Sequence, residues 1–334
     1  MKILITGGLG FIGTNLIRYW LNRYPQDSLI NLDKITYAAN PKNLADITSP
    51  NYRFVQGDIC DAQTVDSLVG EVEAIIHLAA ESHVDRALQN PQVFLDTNII
   101  GTFNLLQSAR SHGLRRFHHV STDEVYGALS LDNPAKFSED SKFDPRSPYS
   151  ASKAASDHLV MSFFYSFNLP VTITNCSNNY GPYQSPEKFI PRVITNILTG
   201  LKVPLYGDGL YVRDWLYVDD HCAAIDTVFH QGQIGQTYNV GAQHEDINNL
   251  TLTRTILRQM GRPEDDYQTV ADRPGHDRRY AVDWTKINRD LGWSPQTSFD
   301  QGITRTIKWY TDNQDWWQAA KKEAEEFYRL AATK

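Results

Sequence analysis

The chain has 334 residues, of which 41% are hydrophobic and 21% charged, and these values are typical of a folded protein with a large core. Its formal net charge of -7 comes from interspersed charges that leave no basic face for a phosphate backbone, so we expect no nucleic-acid partner. Cys60, Cys176 and Cys222 have no CxxC spacing, which argues against a disulfide framework and a zinc site. We therefore predict no metal site and a cytoplasmic location.

The opening MKILITGG has neither a long apolar region nor a small-residue cleavage site, so we do not interpret it as a signal peptide. No apolar run is long enough to cross a bilayer, and we expect no membrane partner.

Short β-branched runs alternate with longer helical patterns in the first half of the chain. The runs predict strands at residues 2–6, 28–33, 52–56, 74–80, 117–122 and 171–175. The longer patterns predict helices at residues 12–23, 62–69, 91–112 and 149–167. This alternation predicts an α/β fold with a doubly wound parallel sheet.

After residue 180 the pattern becomes irregular, with helices expected at 190–199, 250–260 and 302–312. A strand at 237–240 is expected to return to the main sheet. We therefore predict a larger domain of residues 1–180 with a returning segment near 215–242. Residues 181–214 and 243–334 should form a smaller, partly interleaved substrate domain.

Two features near the C-terminus are interpreted as structural. The aromatic residues Trp309, Tyr310, Trp316 and Trp317 are expected to pack in the core or at an interface. The charged stretch KKEAEEF at residues 321–327 is expected to be a solvated helix.

A glycine-rich turn follows the first predicted strand in the segment TGGLGFIG, residues 6–13. Gly8, Gly10 and Gly13 satisfy GxGxxG, and Gly7 with the last two satisfies GxxGxxG, so a pyrophosphate can approach a helix N-terminus. Asp33 lies twenty residues after Gly13 and can bind the adenosine ribose hydroxyls. The combination predicts a Rossmann-type domain that binds NAD rather than NADP.

Two later strand ends extend this cofactor site. Asp58 and Ile59 follow the third strand, where an adenine edge could be recognised, although an acid there is more often a turn former. The run LAAESHVDR ends the fourth strand with small residues that would let the cofactor pass, and then offers Ser82 and Arg86.

The segment SPYSASKAAS places Tyr149 and Lys153 four residues apart on one face of a helix. A nearby ammonium lowers the pKa of a phenol, so Tyr149 could be a base for a substrate hydroxyl while Lys153 holds the nicotinamide ribose. With the glycine turn and the Ser121–Thr122 pair, this spacing indicates hydride chemistry on an alcohol.

The stretch STDEVYG sets Asp123 beside Glu124 at the end of the fifth strand. One interpretation is a solvated strand end. The other is an acid and a base, with Asp123 kept neutral by desolvation and repulsion, which the elimination of a poor leaving group beside a carbonyl requires.

These motifs, with the NNYGP segment at residues 178–182, resemble the extended short-chain dehydrogenase/reductase superfamily. PEKFIPR, RDWLYVDDH and DRPGHDRRY are most similar to its dTDP-glucose 4,6-dehydratase family, over essentially the whole chain. The resemblance implies that Tyr149 takes the proton of the sugar 4-hydroxyl, Thr122 contacts that oxygen, Glu124 removes the C5 proton and Asp123 protonates the departing C6 hydroxyl. It also implies tightly bound NAD, dTDP-glucose as substrate, and a homodimer formed through residues 91–112 and 149–167.

The resemblance further implies two sets of binding residues. The residues implied to bind NAD are Gly7, Gly10, Phe11, Ile12, Gly13, Asp33, Lys34, Thr36, Asp58, Ile59, Leu78, Ala79, Ala80, Ser82, Thr97, Tyr149, Lys153 and Asn179. The residues implied to bind the substrate are Ser82, Arg86, Ser121, Thr122, Asn178, Lys188, Phe189, Pro204, Leu205, Tyr206, Arg213, Asn248, Arg273 and His276.

Alternatives remain open at this point. Arg213 and Arg273 could instead form surface salt bridges with Asp214 and Asp272, and the sequence around Asn248 fits the family loosely. A UDP-sugar epimerase or decarboxylase of the same superfamily, or a non-catalytic NAD-binding scaffold, would share the glycine turn. The adjacent acids distinguish a dehydratase from an epimerase.

Overall fold

The computed structural model describes residues 1–242, 247–272 and 277–331. Within these residues the strands are β1 (Lys2–Thr6), β2 (Ser28–Asp33), β3 (Tyr52–Gln56), β4 (Ala74–His77), β5 (Arg116–Thr122), β6 (Val171–Cys176), β7 (Asn178–Tyr180), β8 (Val203–Tyr206), β9 (Val212–Arg213), β10 (Trp215–Tyr217), β11 (Gln236–Val240), β12 (Ile247–Asn248) and β13 (Tyr267–Val270). The α-helices are α1 (Phe11–Arg23), α2 (Ala62–Val69), α3 (Val84–Gln89), α4 (Pro91–Leu95), α5 (Thr102–Ser111), α6 (Pro148–Phe167), α7 (Phe189–Leu198), α8 (Val218–Gln231), α9 (Asn249–Gln259), α10 (Thr285–Leu291), α11 (Phe299–Asp312) and α12 (Gln314–Ala331). No helix in the described part of the chain is long and apolar enough to cross a membrane.

Seven strands form a parallel central sheet in the order β11-β6-β5-β4-β1-β2-β3. All six predicted strands belong to it, and the doubly wound α/β fold is confirmed. Strand β4 ends at His77, earlier than predicted, because residues 78–80 leave the sheet. The returning strand is also confirmed, since Gln236–Val240 pairs with Val171–Cys176.

Both faces of the sheet are covered, and successive residues of each strand contribute side chains to opposite faces. Leu4 packs on one side in a core cluster that includes Leu105 and Val160. Ile3 packs on the other side in a cluster that includes Trp20 and Phe229. The consecutive buried apolar residues Ile3, Leu4 and Ile5 of β1 therefore reflect a sheet sandwiched between two helical layers.

The strand order reverses between β1 and β4, because β2 and β3 extend the sheet to one side and β4 starts the other. Ligands of such sheets bind in the crevice outside the carboxyl ends of the strands at this point. The glycine turn after β1 and residues 78–80 after β4 both lie there.

The helix predicted at residues 91–112 is confirmed close to its predicted bounds, but it is not α-helical throughout. Helices α4 and α5 are separated by a π-helix at Asp96–Gly101. Within it, Asn98 exchanges hydrogen bonds with the backbone of Glu81, and a Cβ atom on Gly101 would lie 2.5 Å from the Ile59 side chain. Tertiary packing against the cleft thus interrupts the α-helical pattern, as is common near functional sites.

A third cluster of buried residues joins α7, α9, α11 and α12. Tyr310 and Trp317 are fully buried in it, which confirms the expected aromatic packing. The expectation of a solvated helix at 321–327 is wrong for Lys321, which is only 5% exposed because it packs against α7 and hydrogen-bonds Asn196. The division into two domains stays a prediction.

Candidate active site

A cleft with two adjoining compartments lies at the carboxyl ends of the sheet strands. The first is lined by the glycine turn, the ends of β2, β4 and β5, and the start of α6. The second is lined by residues of α7 and by side chains that include Arg213, Trp215 and Tyr280. The residues that line both compartments are Glu124, Asn178, Asn179, Gln184, Glu187 and Lys188.

Close backbone contacts explain the glycine turn. A Cβ atom on Gly7, whose φ is +74°, would lie 2.8 Å from the backbone of Ala79, and one on Gly13 would lie 2.3 Å from the Gly7 carbonyl oxygen. Helix α1 starts directly after the turn, with Gly10 as its N-cap. The turn therefore exposes helix-terminal amides at the floor of the first compartment, which suits a pyrophosphate.

Asp33 at the end of β2 is held rigidly beside this turn. Its carboxylate accepts hydrogen bonds from the backbone amides of Leu9 at 3.0 Å and Ile35 at 2.8 Å. Burial raises the pKa of Asp33, while these two amides oppose the rise. The carboxylate is thereby fixed in an orientation in which it can accept bonds from ribose hydroxyls.

Every residue predicted to bind NAD lines the first compartment. Lys34 donates to the Thr97 hydroxyl at 2.9 Å and lies 3.7 Å from the carboxylates of Asp58 and Glu81. Sequence reasoning missed Glu81, although it stands inside the LAAESHVDR segment. Thr97 reaches the compartment because it lies in the π-helix.

Tyr149 is placed by the start of α6. Ser147 and Ser150 form a capping box and Pro148 occupies the first turn, so the tyrosine enters the cleft at the helix N-terminus. Lys153 donates to the Val120 carbonyl at 2.9 Å and lies 3.4 Å from His119 Nε2. Tyrosine and lysine thus line one wall of the first compartment.

The predicted lowering of the Tyr149 pKa by Lys153 is wrong for this structure. Burial of the phenol, with Glu124 nearby, raises the pKa of Tyr149 well above its usual range. Burial also lowers the pKa of Lys153. The effect of burial on the pKa of the phenol outweighs the effect of the Lys153 ammonium, which donates its hydrogen bond to the Val120 carbonyl.

The two adjacent acids occupy a 3-10 turn, Asp123–Tyr126, directly after β5. The Thr122 hydroxyl accepts a hydrogen bond from the Glu124 amide at 3.3 Å and donates to Asp123 Oδ1 at 3.4 Å. Asp123 is only 1% exposed, and its Oδ2 atom has no hydrogen-bond partner among the described residues. The interpretation as a solvated strand end is therefore wrong.

The acids have different electrostatic surroundings. Burial, with Glu124 and Asp214 nearby, raises the pKa of Asp123 well above its usual range. Burial also raises the pKa of Glu124 to about 7, with Arg213 and Lys188 opposing the rise. Burial therefore favours the protonated form of Asp123, while Arg213 and Lys188 favour the carboxylate of Glu124, so one side chain can give a proton while its neighbour takes one.

Arg213 is buried in the second compartment and is not a surface residue. It donates to the carbonyl oxygens of Val212 at 2.7 Å and Asp277 at 2.9 Å, and its guanidinium lies 4.5 Å from the centre of the Tyr280 ring. Buried beside Glu124, it can bind anionic oxygens and favour the ionised carboxylate.

The other predicted substrate residues divide into three groups. Ser82, Ser121, Thr122, Asn178, Lys188, Phe189 and Tyr206 line the cleft. Arg86, Pro204, Leu205 and Asn248 line neither compartment in this structure. Arg273 and His276 lie outside the described residues.

Local contacts account for two of the residues outside the cleft lining. Arg86 stacks 3.7 Å from the centre of the Tyr37 ring and donates to Glu187. Asn248 caps α9 by accepting a hydrogen bond from the Thr251 amide.

Sequence reasoning missed several residues of the second compartment. Arg192, Trp215, Asp277 and Tyr280 line it, and all stand within the segments quoted for the family resemblance. Their position within these segments was the signal that could have identified them as site residues. Tyr328 of α12 also lines it, and the charged sequence around that tyrosine gave no signal.

Comparisons with known proteins agree with this site. The family model described as GDP-mannose 4,6 dehydratase matches residues 4–306. A dTDP-glucose 4,6-dehydratase of Mycobacterium tuberculosis (strain CDC 1551 / Oshkosh) is 51% identical over 330 residues, which cover 98% of this chain and 99% of that protein. The chain belongs to the dTDP-glucose 4,6-dehydratase family.

Solved structures support membership of the dTDP-glucose 4,6-dehydratase family. The Streptomyces venezuelae dTDP-glucose 4,6-dehydratase, solved with NAD bound, is 46% identical and superimposes with a TM-score of 0.92 over 96% of this chain and 100% of that one. A UDP-glucose 4-epimerase of Thermotoga maritima is 27% identical, with a TM-score of 0.87 over 94% of this chain and 100% of that one. The overall fold is therefore shared with epimerases.

Proposed function

We propose that the chain is an NAD-dependent hydro-lyase that converts dTDP-glucose to dTDP-4-keto-6-deoxyglucose and water. The observation that carries the proposal is the Asp123–Glu124 pair, which lines the same compartment as Tyr149 and whose two carboxyl groups have different electrostatic surroundings. An epimerase that only removes and returns a hydride has no need of a second acid and base. Family membership supports the same reaction.

The first compartment fits the cofactor. The Gly7–Gly13 turn would receive the pyrophosphate, the Asp33 carboxylate the adenosine ribose, and Lys153 the nicotinamide ribose. When bound there, NAD supplies a hydride acceptor for C4, the hydride for C6 later in the same turnover, and a positive charge on its nicotinamide ring.

The side chains of the chain move the protons. The positive charge of bound NAD would favour the phenolate form of Tyr149, which takes the proton of the 4-hydroxyl with Thr122 at the same oxygen. The resulting 4-ketone acidifies the C5 hydrogen. Glu124 removes the C5 proton while Asp123 protonates the C6 hydroxyl, which leaves as water. Glu124 then returns its proton to C5. One turnover adds a proton to Tyr149 and removes one from Asp123, so the next turnover requires transfer between them.

The second compartment would hold the nucleoside diphosphate. Buried Arg213 and the partly buried Lys188 supply positive charge where the compartments meet, and Asn178 lines the same junction. Two phosphate groups bound there would leave the glucose at the acids. Arg213 and Lys188 are also the two cations that oppose the rise in the pKa of Glu124.

A panel of dTDP-, UDP-, CDP- and GDP-glucose tests the proposal. The purified protein should convert dTDP-glucose to the 4-keto-6-deoxy product, identified by mass spectrometry and NMR, without net accumulation of NADH. Formation of only a C4 epimer from any of these sugars would contradict the proposal and favour an epimerase. Thymine and uracil differ by one methyl group, so we expect discrimination of about 10- to 200-fold between dTDP and UDP substrates.

Two further properties form part of the proposal. A homodimer is supported by exposed apolar side chains on the predicted helices, including Leu95, Ile100, Phe103 and Phe167. Light scattering on a sizing column should give twice the chain mass, and Phe103→Glu should shift it to the mass of one chain; a monomeric wild type would contradict this.

A cytoplasmic location is supported by three cysteines that are free of disulfides.

A further inference from the structure

The C-terminal helix α12 forms part of the substrate cleft. Its start is anchored by Trp317, which is fully buried and donates to the Tyr310 carbonyl at 2.8 Å. About three turns of helix later, Tyr328 lines the second compartment and donates to the Glu187 carbonyl at 2.8 Å. Glu187 precedes Lys188, so this bond fastens α12 to the junction of the two compartments.

Arg192 of α7 connects this helix to the cleft. Its guanidinium donates two hydrogen bonds of 3.2 Å to the two carboxylate oxygens of Glu325 and a third of 3.0 Å to the Tyr206 hydroxyl. It also stacks 3.8 Å from the centre of the Tyr328 ring. A bidentate, stacked guanidinium with a side-chain exposure of 12% has little freedom, so it holds both tyrosines in place.

Lys321 is a second cation that binds the Glu325 carboxylate. Lys321 donates to Glu325 Oε1 at 3.3 Å and to Asn196 Oδ1 at 2.5 Å. Glu325 therefore joins α12 to α7 through Arg192 and stands beside two buried cations. Loss of its charge would leave Arg192 free to turn away from Tyr206.

The position of this cluster in the cleft indicates what it recognises. Arg192, Tyr206 and Tyr328 line the second compartment, whereas Asp123 and Tyr149 line only the first. A ligand with its sugar at the acids and its phosphates at Arg213 would extend its nucleoside in this direction. Aromatic rings and a stacked guanidinium suit the flat face of a base.

We propose that the Arg192–Glu325 pair fixes Tyr206 and Tyr328 as the wall that receives the nucleoside, which makes α12 a determinant of nucleotide binding. The inference rests on the proposed function for the direction of the substrate in the cleft. Arg192 and Glu325 act as positioning residues, because their effect reaches the ligand through the two tyrosines.

The test measures nucleotide binding and turnover in Glu325→Gln, which preserves shape and removes the charge. We expect the Kd for dTDP, measured by titration calorimetry on the NAD-loaded protein, and the KM for dTDP-glucose to rise about tenfold, with kcat at saturation unchanged within about twofold. Arg192→Leu should shift both constants in the same direction. The matched control is Glu326→Gln on the same helix, whose partner Arg329 is at the surface and whose Kd should stay at the wild-type value.

A purely structural role would lower the melting temperature of Glu325→Gln and leave the Kd for dTDP unchanged well below melting, which would overturn the inference. A wild type that binds no dTDP would overturn it as well. Binding is measured without turnover, so failure of the proposed function is seen separately. A wild type that binds dTDP but does not dehydrate dTDP-glucose would refute the function alone, and the Kd of the variant would still decide the inference.

Discussion

The rate of dehydration should follow the ionisation of Glu124, because only its carboxylate form can remove the C5 proton. With a pKa of about 7, about one tenth of this group is ionised at pH 6, about half at pH 7 and about nine tenths at pH 8. Product formation should therefore rise about tenfold between pH 6 and pH 8 and then level off. Burial raises the pKa of Asp123 well above that of a free carboxyl, which favours its protonated form.

Single-turnover experiments with saturating dTDP-glucose across this pH range measure the profile, with product followed by mass spectrometry. Exchange of the C5 hydrogen in deuterated solvent reports the Glu124 step directly. Glu124→Gln should abolish the exchange at every pH. Glu139→Gln is a matched control, since burial raises the pKa of Glu139 while its carboxylate binds the Asn239 amide and lines neither compartment. A flat profile between pH 6 and pH 8, or an unchanged profile in Glu124→Gln, would refute this reasoning.

Three further outcomes are expected. Asp123→Asn should retain C4 oxidation but slow the loss of water by about 10²- to 10⁴-fold, so NADH absorbance at 340 nm persists; a wild-type dehydration rate would remove Asp123 as the acid. Glu124→Gln should unfold at a higher urea concentration than the wild type at pH 8, but at the same concentration near pH 4. The pKa of Glu124 is about 7 in the folded protein against 4.5 for a free group, so its ionisation lowers the free energy of unfolding of the wild type by about 3 kcal/mol; equal midpoints at pH 8 would contradict this. Gly13→Ala should abolish NAD binding through its clash with the Gly7 carbonyl oxygen, whereas Gly113→Ala, with no atom within 4 Å, should change only stability; NAD retention in Gly13→Ala would contradict the turn geometry.

The parts of the site that depend on local sequence could be predicted. The glycine turn and the capped start of α6 are set by residues adjacent in the chain, and the acids follow a strand whose end the β-branched pattern marks. The six sheet strands were found because each is a short run with β-branched residues that alternates with longer helical patterns.

The parts of the site that depend on packing between distant segments could not be predicted from the sequence. The pKa of Tyr149 is set by burial and by Glu124, so a rule for neighbouring residues gave the wrong direction. The π-helix brings Gly101 against the Ile59 side chain, a contact between distant segments of the chain. Tyr328 and Glu325 stand in a stretch whose charges look solvated until Arg192 is brought against them from α7.

The pairing of β11 with β6 has a consequence for synthesis of the chain. All six residues of β6 are buried, yet the partner strand begins only at Gln236, about sixty residues later. Until that strand has been made, β6 is an uncovered edge strand with unpaired backbone groups, the kind of edge that promotes aggregation of partly folded chains. A nascent or truncated chain that ends near residue 180 should therefore be held by chaperones or aggregate, and completion of the central sheet must wait for the segments that also build the nucleotide compartment.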